Sequence, residues 1–399
     1  MPHHYIPFAN YADIQVVSEL YPQAAGCRMT LRSLRKAKPA DLPTAKLWID
    51  AEVDGYSPEV FDASKKGYEG YRQYREYIQK FAGHRELSAG HDKAALAGFV
   101  NVVLDSVLEA ASTASNLGYV SVPQLPYIPG SDRNKINRLL AELTLKWTSL
   151  QRRPPRLILP VIFAKNLGQM DTRTERRKKV ELAVSCFEAS GADGIWVVDS
   201  TLDDHASLRK LENQRLPGII NFHEELNARL VKLRPDAVTI AGPYWGLNLA
   251  LWCRGLVRFL AIGVGSYRYY VPGRLPQTAK VRVAVPPLKR LVVGVALRPW
   301  LQDALNKLAK SDPAHRDLGA LLKDLAFLQT KDHARERIAR FYRDWVVKLE
   351  SVPANSRALT LYQDFSAAFV LGSKLSNFDP PEDVPDPAII AKQLMVNCL

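Results

Sequence analysis

The strongest constraint in this chain is a set of short apolar runs that do not alternate. Leu157-Ile-Leu-Pro-Val-Ile-Phe163 and Gly194-Ile-Trp-Val-Val-Asp199 are apolar at nearly every position. A strand with one wet face alternates apolar and polar residues. A strand buried on both faces, as in a parallel sheet covered by helices, does not. Six further apolar, β-branched segments join them as candidate strands: Asp13–Ser18, Leu47–Val53, Tyr119–Val122, Ala237–Ile240, Phe259–Gly263 and Leu291–Ala296. Most are followed by helical patterns. Ile136, Leu139, Leu140, Leu143 and Trp147 form a stripe over Asp132–Leu150. Val180, Ala183, Val184 and Phe187 do so over Thr174–Ala189, which Gly191 should end, and Asn221–Leu233 links the fifth and sixth segments.

Strand and helix in alternation imply an α/β chain with a parallel sheet, and eight strands favour closure into a (β/α)8 TIM-like barrel over an open doubly wound sheet. The expected organisation is a barrel over 1–298 with a helical insertion after strand 2 at about 56–116, a C-terminal helical extension over 299–378 and a proline-rich, extended tail over 379–399. The insertion should hold helices at Tyr68–Phe81 and Asp92–Ser115. Tyr68, Tyr71, Tyr74 and Tyr77 line one face of the first, for core packing or for stacking on a base or sugar. Asp332–Leu349 is the clearest helix of the extension, with Ile338, Phe341, Trp345 and Val346 inward.

No stretch approaches the ~20 apolar residues of a membrane helix, and Met1–Tyr5 lacks the basic start of a signal peptide. Cys27, Cys186, Cys253 and Cys398 are too dispersed for a zinc site or a disulfide framework. The expectation is a cytoplasmic protein with reduced thiols and no membrane partner.

Barrels of this kind carry chemistry where strands end and βα loops begin. Asp50 and Glu52 share one side of their strand, and Asp199 closes Ile-Trp-Val-Val. Unpaired burial of carboxylates is costly, so these three are the candidate catalytic residues. They would form an acid/base pair, a divalent-metal site or a salt-bridged stabilising cluster. No histidine motif demands a metal, and no cofactor is expected beyond a divalent ion that the carboxylates could hold. Other strand ends supply Gln124, Lys165, Tyr244, Trp245, Gly263, Gly265, Ser266 and Arg298 as substrate or phosphate contacts.

The net charge is +13, and its distribution is uneven. Between Asp236 and Asp303 no acidic residue occurs, while Arg254, Arg258, Arg268, Arg274, Lys280, Arg282, Lys289, Arg290 and Arg298 do. Tyr244, Trp245, Trp252, Tyr267, Tyr269 and Tyr270 are interleaved. Gly263, Gly265 and Ser266 would offer backbone donors to a phosphate and Arg268 a bidentate partner. Arg258, Arg274, Lys280, Arg282, Lys289 and Arg290 would form a wider nucleic-acid surface, unless they are a plain solvated face. Arg173, Arg176, Arg177, Lys178 and Lys179 form a second basic cluster.

Arg258-Phe-Leu-Ala-Ile-Gly-Val-Gly265 resembles the seventh-strand Gly-Val-Gly segment of the tRNA-guanine transglycosylases, (β/α)8 barrels that act on nucleic acid. The resemblance covers that strand and the architecture. The family's nucleophilic aspartate on the next strand has no counterpart in Leu291–Ala296, and its three-cysteine, one-histidine zinc site is absent. It implies glycosidic base chemistry. The resulting expectation is a transferase or hydrolase for a glycosidic or phosphoester bond of a nucleotide or nucleic acid. Two alternatives stand beside it: an enzyme for a small phosphorylated metabolite, and a non-catalytic nucleic-acid-binding or scaffold subunit that meets a protein partner through its C-terminal helices.

Overall fold

The computed structural model describes residues 3–9, 11–53, 93–127, 133–163, 172–199, 215–264, 282–315, 318, 331–380 and 388–398. Eight parallel strands close into a barrel in chain order: β1 Tyr5–Ala9, β2 Cys27–Thr30, β3 Leu47–Asp50, β4 Leu117–Ser121, β5 Arg156–Phe163, β6 Gly194–Asp199, β7 Val238–Ala241 and β8 Phe259–Gly263. The barrel closes where β1 pairs with β8, from Tyr5 opposite Leu260 to Phe8 opposite Gly263. The helices between strands are α1 Ile14–Leu20, α2 Leu31–Lys36, α3 Lys93–Ala111, α4 Arg133–Ser149, α5 Arg173–Ser190, α6 Arg215–Leu233 and α7 Leu247–Cys253. An antiparallel hairpin follows (β9 Arg282–Val285, β10 Arg290–Val293), then α8 Gly294–Ser311, α9 Lys331–Glu350, α10 Arg357–Ser376 and α11 Ile389–Cys398.

The barrel was expected, but two of its strands were not those read from the sequence. Asp13–Ser18 is not a strand: it enters α1, whose buried Ile14, Val17 and Leu20 recur every three residues, a helical stripe that outweighs the β-branched valines. Leu291–Ala296 is no barrel strand either, since its first residues belong to β10 and the chain is helical from Gly294. The first two barrel strands are instead Tyr5–Ala9 and Cys27–Thr30, so each later strand gains one in rank.

The insertion expected after strand 2 therefore follows β3. Its second helix, α3, packs against α2 and α4 like any outer helix of a barrel. It is apolar and long enough by composition to cross a membrane, but Leu96, Phe99, Val100, Val103, Leu104, Val107 and Ala111 face the core. The Tyr68–Tyr77 series lies outside the described residues.

The extension expected over 299–378 shares the barrel's core. A boundary at 298 would cut α8. Ala339, Tyr342, Trp345, Val346 and Leu349 on α9 belong to one apolar cluster with Tyr5, Tyr21 and Leu260. Tyr21 donates to the Ala339 carbonyl at 2.7 Å. Glu350 accepts from the His4 backbone at 2.7 Å and also holds the His3 ring. Helix α9 thus covers the seam near β1 and α1, where a barrel's eighth helix belongs. The tail is not extended throughout: α11 packs on α6, α7 and α10, burying Ile390, Ala391 and Leu394.

Aromatic rings fill the lumen. Phe8 on β1, Trp48 on β3 and Trp196 on β6 meet with ring centroids 5.2–5.4 Å apart. These strands are not neighbours, so the rings meet across the interior and form its packed floor.

Candidate active site

Above that aromatic floor, toward the C-terminal ends of the strands, lies a buried ion pair. Arg28 on β2 points inward, its guanidinium over the rings of Phe8 at 4.9 Å and Trp196 at 5.5 Å. It donates to Asp50 Oδ2 through Nη2 at 2.5 Å and Nε at 3.1 Å. Both residues are at most 5 % exposed. Removing two charges from water is costly, and the pair compensates only through this close geometry.

The second Asp50 oxygen accepts from the Glu52 backbone N–H at 2.9 Å. Glu52 has a left-handed backbone, φ 54°, which a non-glycine residue adopts at a cost of roughly 1 kcal/mol or more. Burial pushes the Glu52 carboxyl up to about 7. Arg28 and Arg32 act against the rise, while the Asp50 charge adds to it. A carboxyl titrating near neutrality can both give and take a proton under ordinary conditions.

Beside Asp50 the ends of β3, β4 and β5 enclose a small pocket of about 10 Å³, room for a water molecule, lined by Val53, Ser121, Gln124, Pro160 and Ile162 among others. Ser121 accepts from Trp48 Nε1 at 2.9 Å, which leaves its own hydroxyl proton to offer. Gln124 is fixed by its amide, which donates to the carbonyls of Pro123 at 2.8 Å and Asn137 at 2.9 Å. Asp50 and Gln124 thus line one pocket, and Glu52 joins the site through its backbone bond to Asp50.

Asp199 is not aimed with them. It shares the parity of Ile195 and Val197, whereas Trp196 faces the lumen, so strand alternation turns Asp199 toward the helix layer. It is buried, and its backbone N–H donates to the Tyr244 hydroxyl. No metal-holding group of three His, Cys, Asp or Glu occurs among the described residues. The expected three-carboxylate constellation is therefore divided, with Asp50 already committed to Arg28.

The expected stacking residues serve packing. Tyr244 is buried. Trp245 donates to the Lys289 carbonyl at 2.6 Å and stacks on Phe341 of α9 at 5.7 Å. Gly263 ends β8 opposite Phe8. Lys165, Gly265, Ser266, Arg268, Arg274 and Lys280 lie outside the described residues.

Among the described residues, the cations of the acid-free stretch are spread over different parts of the fold. Arg254 and Arg258 precede β8, at the barrel end opposite the pocket. Arg254 pairs with Glu224 at 2.6 Å, and Arg258 is exposed. Lys289 is tucked against Trp345 at 4.8 Å and lies 3.8 Å from Asp364, and burial lowers its pKa. Arg282 and Arg290 are on the hairpin strands, and Arg298 lies within α8 rather than at a strand end. In the other basic cluster, Lys179 is buried over the Phe163 ring and Arg176 lies 3.4 Å from Glu225.

Sequence reasoning missed Arg28 and Ser121. Arg28 lies in a four-residue strand too short to stand out by periodicity. The available signal was Thr30, whose side chain accepts from the Ser33 N–H and marks the start of α2. Comparison with known protein families found no matching family, and comparison with curated proteins found no match either. The Gly-Val-Gly segment that resembles the transglycosylases begins on the eighth strand here rather than the seventh.

Proposed function

We propose that this chain is a barrel enzyme for an anionic substrate of the nucleotide or sugar-phosphate class, with Glu52 as the group that moves a proton at a glycosidic or phosphoester bond. One observation carries the reading. At the mouth of the barrel, a carboxyl that titrates near 7 stands beside a second carboxylate held by an arginine. Two carboxyl groups in unlike environments are the usual requirement of glycosyl chemistry. Both oxygens of Asp50 are engaged, which leaves the proton transfer to Glu52. Exposed Arg32, next to the site, supplies attraction for a negatively charged substrate.

Arg258 and Lys289 lie where they cannot extend this mouth into a nucleic-acid track, which favours a small phosphorylated substrate over a polymer. A protein partner is best sought on α10, where Leu359, Tyr362 and Val370 are exposed apolar residues.

The test is turnover of nucleosides, nucleotides and sugar phosphates by wild type and Glu52→Gln. A substrate hydrolysed or exchanged by wild type should lose at least about 100-fold in kcat/KM in the variant. Undiminished turnover by Glu52→Gln would remove Glu52 from the chemistry. Tight, steeply salt-dependent binding of DNA or RNA would restore the polymer as substrate.

A further inference from the structure

Resting on the reading of Glu52 as the proton-transfer group, we propose that Asp50 is its positioning residue. One Asp50 oxygen holds the buried Arg28 and the other holds the Glu52 backbone N–H, so one carboxylate fixes both the buried cation and the left-handed turn from which Glu52 projects. The geometry accounts for several features together. Asp50 is the last residue of β3, paired with Thr30, so its backbone is fixed by the sheet. Its side chain reaches back to Arg28, which Phe8 and Trp196 clamp from the lumen floor. The same carboxylate closes a turn two residues on, at a backbone conformation that glycine normally occupies. A stabilising ion pair alone would need no contact with Glu52, and a strand end alone would not place a non-glycine residue at positive φ.

Among the described residues, the charges acting on the Glu52 carboxyl are Arg28, Asp50 and Arg32. Asp50 therefore works on Glu52 in two ways: it keeps Arg28 engaged elsewhere, and it adds a negative neighbour. Removing its charge should release Arg28 toward Glu52 and stabilise the Glu52 carboxylate.

The experiment is a titration of the full chain labelled with 13C at the glutamate carboxyls, with Glu52→Gln identifying the Glu52 signal. In Asp50→Asn the Glu52 midpoint should fall by about one pH unit or more, and in Arg28→Met it should rise. Opposite movements distinguish positioning from general loosening, which would carry both midpoints toward the ordinary carboxyl value. Asp50→Asn keeps the side-chain volume and the acceptor for the Glu52 N–H, and Arg28 retains its two rings. If Arg28→Met does not fold, Asp50→Asn carries the test together with hydrogen exchange: its Glu52 amide should keep wild-type protection while the midpoint falls, whereas general loosening would lower both. In Asp50→Ala the acceptor is lost, and protection of the Glu52 amide against hydrogen exchange should fall about tenfold. A Glu52 midpoint unmoved by Asp50→Asn would overturn the proposal. The readout needs no turnover, so an active Glu52→Gln enzyme would defeat the catalytic reading while leaving this result to stand or fall by itself.

Discussion

Replacing Glu52 by glutamine should make the protein more stable, and only above mildly acidic pH. The wild-type carboxyl titrates at about 7 in the folded chain against 4.5 in its ordinary state, with burial as the main cause. Below about 4.5 the carboxyl is neutral both folded and unfolded, and Glu52 costs nothing. As pH rises through 4.5 the unfolded chain releases its proton and gains solvation that the folded chain cannot match, so wild-type stability falls. The loss is complete once pH passes the folded value near 7. At 1.36 kcal/mol per pH unit the shift corresponds to about 3 kcal/mol, and about 2 kcal/mol is the working figure because the side chain keeps some contact with water. Glutamine has the same shape and does not titrate. Urea unfolding of both proteins from about pH 4.5 to about pH 8 should show curves that coincide in acid and separate by that amount at the alkaline end. A difference independent of pH, or a wild type that gains on the variant as pH rises, would refute the argument. A confirmed difference would mean that the fold tolerates a destabilising carboxyl at its mouth, as functional sites commonly do.

Three other outcomes follow from the same geometry. Arg28→Met should destabilise by about 3–5 kcal/mol in chemical unfolding, because Asp50 is left buried without its cation, while the double variant Arg28→Met/Asp50→Leu should regain most of that loss. His223, whose Nε2 is buried without a hydrogen-bond partner, is held neutral by burial, with a pKa lowered to about 3. Its stabilising effect is present above about 6.5 and is lost as pH falls toward 3, so His223→Leu should flatten the acid limb of a stability–pH profile. Truncation before Lys331 should give an aggregated or unfolded chain by circular dichroism and gel filtration, because α9 covers Tyr5 and Tyr21; a soluble, helical truncated barrel would show that α9 is dispensable.

The apolar runs that do not alternate, and the helical stripes between them, determined the barrel. Strands β3 to β8 and helices α4 and α5 fall where periodicity puts them, including the end of α5 at Gly191 with φ 62°. This much is local, because burial on two faces or along one stripe leaves its mark in each segment separately. The ends of the barrel are less local. Tyr5–Ala9 and Cys27–Thr30 are short, and they hold as strands because β8 and β3 supply their hydrogen bonds. Asp13–Leu20 has β-branched residues that suit a strand, yet a helix there buries one stripe against α9, more than 300 residues away in sequence.

The candidate site divides along the same line. Nearness in sequence at the end of β3 placed Asp50 beside Glu52, though a left-handed turn rather than strand alternation joins them. The apolar run before Asp199 placed it at a strand end. Which way Asp199 faces depends on Trp196 meeting Phe8 and Trp48 across the lumen, a contact between strands that no single segment records. That Asp50 belongs to Arg28, that Glu52 is desolvated, and that Tyr244 and Trp245 pack rather than stack on a ligand were decided by closure of the sheet and docking of α9. A charge acquires its role from the neighbours it meets inside a low-dielectric fold, and those neighbours come from distant parts of the chain.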